Sequence, residues 1–583
     1  ISVYMGNGDG TFGREEDYAV GSRPTMILAR IMQQEVWTRP DIIVANSGTN
    51  FVTFLRDSAP VGWEKSLPAT EDTPLPINLT QFTYSGSDAL SYTIVSGPTN
   101  GVLSGIPPFL TYTPNPDYYG WDNFVYEVND GLFPDRANVG IYVHPVNDAP
   151  TFDLSTNVVS VYEDAVLQVM PGFLININPG NYESQTLYFT VTTTNKSFFS
   201  TQPGIGAGGT LTFKPAPGVV GTNQISIVAS DRLPGGISST QVVTVVVQPS
   251  RVKPLAGIYS GLFYETNGVA HESSGYFTFK MSSKLAFSGK VIVEGRSHSM
   301  SGKTDQDGLA SVTVARTNGN LNVTLQLDLN DTDGVVSGSV SNGVWTAALA
   351  GDRALYNAFT NPAPLAGNYT MLMESGGGAG VPGGDSLAVV RVDAGGRVRF
   401  SGFMADGFGG GQAGLMSVNG QWPLYVPLYK GKGSILGWVS VGSSPSGALS
   451  GDVSWIKTGA YGVNFLSGFT NDTTVIGSAY TAPVSGMRVL HFTEGTATLT
   501  GGGLSRNVEA GGALSPLNVF SSLDSSKLKV VLSTTTGRMS GSFVHPVTGK
   551  GTTIRSIVLQ EQNVIRGYFL PAGDSGAFSL QGN

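Results

Sequence analysis

The sequence predicts an all-β chain of tandem modules, and three observations carry that prediction. With 78 glycines and 32 prolines in 583 residues, and only 13% charged side chains, the composition suits many short strands joined by tight turns. No long stretch places apolar residues at i, i+3, i+4 and i+7, the spacing of a helix with one buried face. Alternation recurs instead: Phe124, Tyr126 and Val128 interleave with Asn123, Val125 and Glu127, the period of a strand with one face in a core. A chain of this length exceeds what one core can organise, so about four to six domains are expected.

Residues 70–149 form the first complete module. It opens on Glu71-Asp72-Thr73-Pro74 and closes on Val146-Asn147-Asp148-Ala149-Pro150. Pro114 and Pro116 follow Tyr112 at a spacing that cannot donate to a sheet ladder, so they mark a strand end or an edge. The module repeats over 150–249 at one constant offset, which maps Tyr112 onto Phe213, Pro114 onto Pro215, Gly120 onto Gly221, Phe124 onto Ile225, Tyr126 onto Ile227 and Asp130 onto Asp231. Glu163-Asp164 repeats Glu71-Asp72 near the front of the second copy. Two units of about 100 residues, all strands and turns, have the size and texture of immunoglobulin-like sandwiches.

The opening and closing residues resemble those of the cadherin-like and bacterial immunoglobulin-like repeats of large surface proteins, over roughly residues 66–249. The resemblance implies calcium between adjoining modules, because the ion takes six to eight hard oxygen ligands and can draw them from both sides of a joint. The residues it offers are Glu71, Asp130, Asn147, Asp148, Glu163 and Asp164. The alternative leaves Asn147-Asp148 as a linker turn and Glu163-Asp164 facing water.

Upstream, residues 1–58 carry Met5-Gly6-Asn7-Gly8-Asp9-Gly10-Thr11-Phe12-Gly13 and later Pro40-Asp41-Ile42-Ile43-Val44. This segment resembles one blade's worth of the FG-GAP repeats of β-propellers. That family carries an Asp-rich calcium loop where residues 30–39 stand here without one, which argues against calcium at that loop. Blades come in sets, so the segment is expected to be the last blade of a longer propeller or to pair with another protein. Ile1, Val3 and Met5 alternate with Ser2 and Tyr4, which fits a strand added to a neighbour's open sheet. The first residues make neither a signal peptide nor a plausible start, so the chain is expected to be a mature piece of something longer. Residues 59–69, with Pro60 and Pro68, are expected to be a linker.

A different repeat begins after residue 250. Pro254-Leu255-Ala256-Gly257 recurs as Pro364-Leu365-Ala366-Gly367, Phe287-Ser288-Gly289 as Phe400-Ser401-Gly402, Ser337-Gly338 as Ser450-Gly451, and Trp345 as Trp455. Met539-Ser540-Gly541-Ser542-Phe543 fits the same turn and strand in a more divergent copy. Three small β-barrel or β-sandwich units are therefore expected, over 254–362, 363–473 and 474–583. Barrels suit such meandering strands because closure removes exposed edges.

Charge and motif content narrow the chemistry. With 33 basic against 42 acidic side chains the net charge is −9, and no basic cluster points to nucleic acid. The chain has no cysteine, which excludes disulfides and thiolate metal sites, and no apolar run near the ~20 residues of a membrane helix. Five scattered histidines, no Gly-x-Ser-x-Gly elbow and no phosphate loop leave no catalytic constellation, so no enzyme is expected. Asp305/Asp307 and Asp331/Asp333 lack the later ligands of a calcium loop and read as hairpin turns.

Two functions follow. One is a secreted or cell-surface structural subunit of a bacterial filament, stalk or surface layer, self-associating through strand edges. The other is an adhesin or glycan-binding surface protein, with Trp422, Tyr425, Tyr429 and Trp438 stacking on sugars, although such residues also fit a barrel core.

Overall fold

The computed structural model describes residues 1–6, 10–30, 41–55, 59–85, 89–131, 133–378, 380–442, 448–459, 461–462, 464–522, 524–571 and 573–583. They are nearly all β, with only short 3-10 turns besides, and divide into two compact units, Ile1–Gln248 and Pro249–Asn583. Among the described residues no helix is long and apolar enough to cross a membrane.

In the first unit two sandwiches follow each other. The first sets a four-stranded sheet, in the order Ser91–Ser96, Gly120–Asn129, Pro134–His144, Lys65–Thr70, against a three-stranded one of Gly101–Ile106, Phe109–Pro114 and Leu75–Asn78. Phe124, Tyr126 and Val128 point inward to meet Tyr112, Val139, Ile141 and Val143, all fully buried. Each such side chain contributes about 1.5–3 kcal/mol by leaving water. The second sandwich has the same order on its larger sheet, Tyr188–Thr193, Gly221–Ser230, Gln241–Gln248, Val158–Tyr162, and buries Phe213, Ile225 and Ile227 at the positions the offset assigns.

Residues 59–69 are not a free linker. Val61–Gly62 pairs with Thr83–Tyr84, and Lys65–Thr70 runs parallel to Pro134–His144 with Thr70 opposite His144. Pro68 suggested a connection, but this is the sheet's outermost strand, where a missing N–H costs no ladder bond. The N-terminal strand is also occupied: Ser2–Gly6 pairs antiparallel with Phe12–Asp17, and the Ile1 amine donates to Tyr18 O at 2.9 Å. The expected strand addition by Ile1, Val3 and Met5 therefore finds one edge of that strand already paired within the chain, while the side chains of Val3 and Met5 lie outside the described residues. Pro24–Arg30, Asp41–Asn46 and Phe51–Leu55 make a separate three-stranded sheet, and residues 31–40, where the calcium loop of the FG-GAP family would stand, lie outside the described residues.

The second unit holds three eight-stranded antiparallel meanders. In the first, Gly257–Tyr264 pairs with the last strand Thr346–Ala354, so the sheet curls until its end strands Arg296–Lys303 and Leu309–Val314 lie side by side. The second repeats this order, with Gly367–Met373 pairing Phe469–Ala479 and the ends at Gly409–Leu415 and Gln421–Leu428. The third closes fully where Glu494–Gly501 pairs with Gly576–Gly582. Phe287 and Phe400 occupy corresponding strands, Ala286–Val293 and Arg397–Phe403. The tryptophans do not: Trp345 ends a turn before the last strand, whereas Trp455 lies inside the penultimate strand Leu449–Lys457.

Leu262, Tyr276, Tyr425, Leu436 and Ile456 form an apolar cluster between the first and second barrels. Arg566 of the third barrel bonds Asp385 Oδ2 at 2.9 Å and Glu374 Oε1 at 2.8 Å in the second. Inside the second barrel the side chains of Asp406 and Lys457 are each 2% exposed and 3.6 Å apart. Lys457 Nζ also donates to Asn464 O at 2.7 Å, while Tyr429 OH and the Phe408 N–H donate to the Asp406 carboxylate at 2.7 and 3.0 Å. Burial, and then the Asp406 carboxylate beside it, raise the Tyr429 hydroxyl well above its ordinary pKa.

Candidate metal centre

The parallel pairing of a sandwich's first and last strands decides where its acidic ends meet. Thr70 lies opposite His144, so Glu71-Asp72 and the closing Asn147-Asp148 emerge at the same end of the module. The Glu71 N–H donates to His144 O at 3.1 Å, and its carboxylate accepts from the Val146 N–H, which ties opening and closing segments together. The loop before Gly120–Asn129 delivers Asp117 to the same spot, held where its N–H donates to Asp72 Oδ1 at 3.2 Å. Carboxylate oxygens of Asp72, Asp117 and Asp148 all lie within 4.8 Å of one another.

The second sandwich closes the site from the other side. Glu183 accepts from the Asp148 N–H at 3.1 Å, and Asn181 donates to Asp117 Oδ2 at 2.6 Å. Asn147 donates to Asp231 Oδ2 at 2.8 Å and accepts from Gln185 Nε2 at 3.2 Å. Burial first, and then Asp117, Glu183 and Asp72, push the Asp148 carboxyl up. Burial also raises Glu71, with Asp148, Asp72 and Glu183 adding to it, against the Val146 hydrogen bond that lowers it. Crowding thus adds to burial here, since each carboxylate disfavours ionisation of the next.

The residues fit a hard cation. Among the described residues Glu183 Oε2 is buried with no hydrogen-bond partner, a costly arrangement for a carboxylate oxygen unless something else meets it. Gly180, at φ 144°, leaves that oxygen room, since a Cβ there would come within 2.3 Å of it. Oxygen donors only, several of them charged and drawn from two modules, suit calcium better than zinc.

The structure brings part of the expected ligand set together. Asp148 is in the cluster and Glu71 borders it, while Asn147 spends its amide bridging to Asp231 and Gln185. Asp130 is elsewhere: its carboxylate accepts from the Phe133 N–H in the hairpin turn at the far end of Gly120–Asn129, roughly 30 Å away at about 3.3 Å per residue. Its repeat counterpart Asp231 reaches the joint instead, because the second module presents its opposite end there. Glu163 and Asp164 also lie at the wrong end, where the Glu163 N–H donates to Gln248 O and Asp164 accepts from the Gly218 N–H at 2.9 Å. Asp72, Asp117 and Glu183 were not singled out. The repeat of Glu71-Asp72 signalled the first, but no local pattern marks the other two.

The aromatic candidates separate as well. Trp422 and Tyr429 are fully buried in the second barrel's core, and Tyr425 is covered by the first barrel, so none of the three is available to stack on a sugar. Strand periodicity does not distinguish an outward residue that water reaches from one that a neighbouring barrel covers. Trp438 is half-buried against the inter-barrel cluster and lines an open cleft of about 690 Å³.

Residues 57–140 match the bacterial Ig domain family. No curated protein matches the chain. Similar solved structures include the first two extracellular cadherin domains of human protocadherin-24, at 15% identity over 33% of this chain and 99% of that one, with a TM-score of 0.26. The human desmocollin-1 ectodomain matches at 12% identity over 54% of this chain and 63% of that one, TM-score 0.20. The endo-fucoidan hydrolase MfFcnA4 of glycoside hydrolase family 107 matches at 17% identity over 40% and 38%, TM-score 0.16. At TM-scores of this size the likenesses carry no functional argument. The family match falls on the first sandwich, which is the part of the chain that supplies Asp72 and Asp117.

Proposed function

We propose that the chain is a structural subunit of an extracellular bacterial assembly, a filament, stalk or surface layer, whose sandwiches are stiffened by calcium. The observation that carries this reading is the cluster of Asp72, Asp117 and Asp148, bordered by Glu71 and Glu183 from both sides of one joint. A rigid joint is of use to a protein that bears load or sets a spacing. Calcium, when bound, neutralises charge that otherwise drives the two modules apart, and the chain's own part is to hold the carboxylates in place: Asp117 by its N–H on Asp72, Glu183 by the Asp148 N–H. No catalytic role is assigned.

Self-association is assigned to the FG-GAP-like segment. Met26 and Leu28 of Pro24–Arg30 and Val52 of Phe51–Leu55 are exposed and share one face by register, an apolar patch that a second copy of the chain would cover. The test images the full chain with calcium and with chelator, alongside proteolysis near residue 150. Ordered polymers, and a joint cut faster once calcium is removed, are expected. A monodisperse monomer in both conditions, with unchanged protease sensitivity and small-angle scattering, rules the reading out. Met26→Asp is expected to reduce assembly without altering the calcium response.

A further inference from the structure

We propose that the cleft lined by Trp438 on the second barrel is a binding site for a neutral oligosaccharide. This goes beyond the structural role and does not depend on the joint. The cleft, at about 690 Å³, lies within the ~300–1,000 Å³ range of small-ligand sites, and one wall comes from the first barrel at Tyr264 and Val269.

Its chemistry follows from strand register. Trp438 stands opposite Asp452, and Asp452 opposite Thr474, so an indole, a carboxylate and a hydroxyl form one row across three neighbouring strands on the same face. The next row is Leu436, Ser454 and Asp472, in which Ser454 Oγ donates to Asp472 Oδ1 at 2.6 Å. Directly opposed side chains in a sheet lie about 4.5–5.5 Å apart, so a ring resting on the indole has acceptor and hydroxyl groups within reach of its edge.

Three properties fit a sugar. The indole is held by its packing on the Leu436 and Ile456 cluster, so it offers a fixed flat surface at little entropic cost. Asp452 and Asp472 are exposed, and as acceptor-only groups they suit a ligand that brings hydroxyl donors. Among the described residues the cleft lining contains two carboxylates and no basic side chain, which disfavours uronate or sulfated polymers by like-charge repulsion. An organic cation also pairs with an indole and carboxylates, but cages for such ligands surround the charge with aromatic rings. Here the aromatic rings lining the cleft among the described residues are Trp438 and Tyr264, and Trp438 shares its row with a carboxylate and a hydroxyl.

The test titrates the full chain by calorimetry with neutral hexaoses of glucose, mannose, xylose and N-acetylglucosamine, with an alginate hexamer, and with choline. At least one neutral oligosaccharide is expected to bind with a Kd of about 1 mM or tighter. Trp438→Ala is expected to weaken it at least tenfold, Trp438→Phe to recover part of the loss, and Asp452→Asn to weaken it severalfold. Because Trp438→Ala removes packing at the inter-barrel cluster, Trp438→Phe and the exposed Asp452→Asn serve as variants that keep the fold. Binding by none of the neutral sugars, binding indifferent to Trp438→Phe and Asp452→Asn alike, or preference for choline or alginate overturns the proposal.

Discussion

The corners of the two sandwiches are built alike and filled differently. Asp72 and Asp164 both adopt left-handed backbone, φ 57° and 59°, and each accepts a loop N–H, from Asp117 at 3.2 Å and from Gly218 at 2.9 Å. Those two loop residues correspond in the repeat and share the left-handed conformation, φ 57° and 69°. Glycine is the unstrained choice there; an L-residue costs roughly 1 kcal/mol, less for Asp and Asn than for most. The second sandwich takes glycine, and at the position of Asp148 its repeat has Pro249. The first sandwich accepts the strained residue and gains a carboxylate at the joint. The backbone device thus belongs to the fold, and the carboxylate triad to one copy of it.

Replacing Asp117 by Gly, to make the first corner resemble the second, gives the largest expected effect. Calcium affinity measured by calorimetry should fall at least tenfold, about 1.4 kcal/mol. An affinity that does not move assigns the metal to other residues and erases the distinction between the corners.

A pH series sharpens the same contrast. Glu71 and Asp148 are raised above ordinary carboxylate values in the folded chain, so the folded state holds protons that the unfolded state has released. Without calcium their contribution to stability is full below the ordinary carboxylate range, about 4, and is lost as pH rises through the raised values. The melting midpoint of the calcium-free chain should drop by a few degrees over that rise, and calcium should reverse the drop because it binds the deprotonated carboxylates. Asp117→Asn keeps the amide contact geometry but removes one charge, and should flatten the calcium-free profile. A profile identical to that of the unmodified chain excludes Asp117 from the coupling.

The smallest effect is expected at the other corner. Gly218→Asp should destabilise the chain by about 1 kcal/mol, read from denaturant unfolding, through left-handed strain. It should add no calcium site, because the third carboxylate is missing there. A gain in calcium stoichiometry contradicts the account of the second corner.

Much of this was legible in the sequence. Alternation at Phe124, Tyr126 and Val128, and its repeat at Ile225 and Ile227, gave strands with the correct inward faces, because a period of two is a local property of the chain. The acidic opening and closing residues gave the joint, because first and last strands of a sandwich pair and bring them together. Asp117 and Glu183 were not legible, since their approach depends on two loops docking across modules, and nothing near either residue marks it. The Asp130 assignment failed for a related reason: a repeat preserves a residue's place within its module but not which joint that place faces. Pro68 and the buried aromatics show the same limit, since an edge strand resembles a linker and a face covered by a neighbouring barrel resembles a face in water.

The buried pair of Asp406 and Lys457 constrains how this chain can change over time. Losing either partner alone strands the other charge in a dry interior, a cost of about 3–5 kcal/mol, whereas exchanging both for well-packed apolar residues can be neutral or better. Routes that pass through a single substitution therefore cross a valley that takes a large share of the ~5–15 kcal/mol by which a domain is stable. Neither half can leave first without that cost, whether or not the pair serves the present fold. Tyr429, Asn464 and Phe408 deepen the valley, since each loses a bonding partner with Asp406 or Lys457. A designer can step across it with a concerted change that mutation one base at a time reaches only rarely.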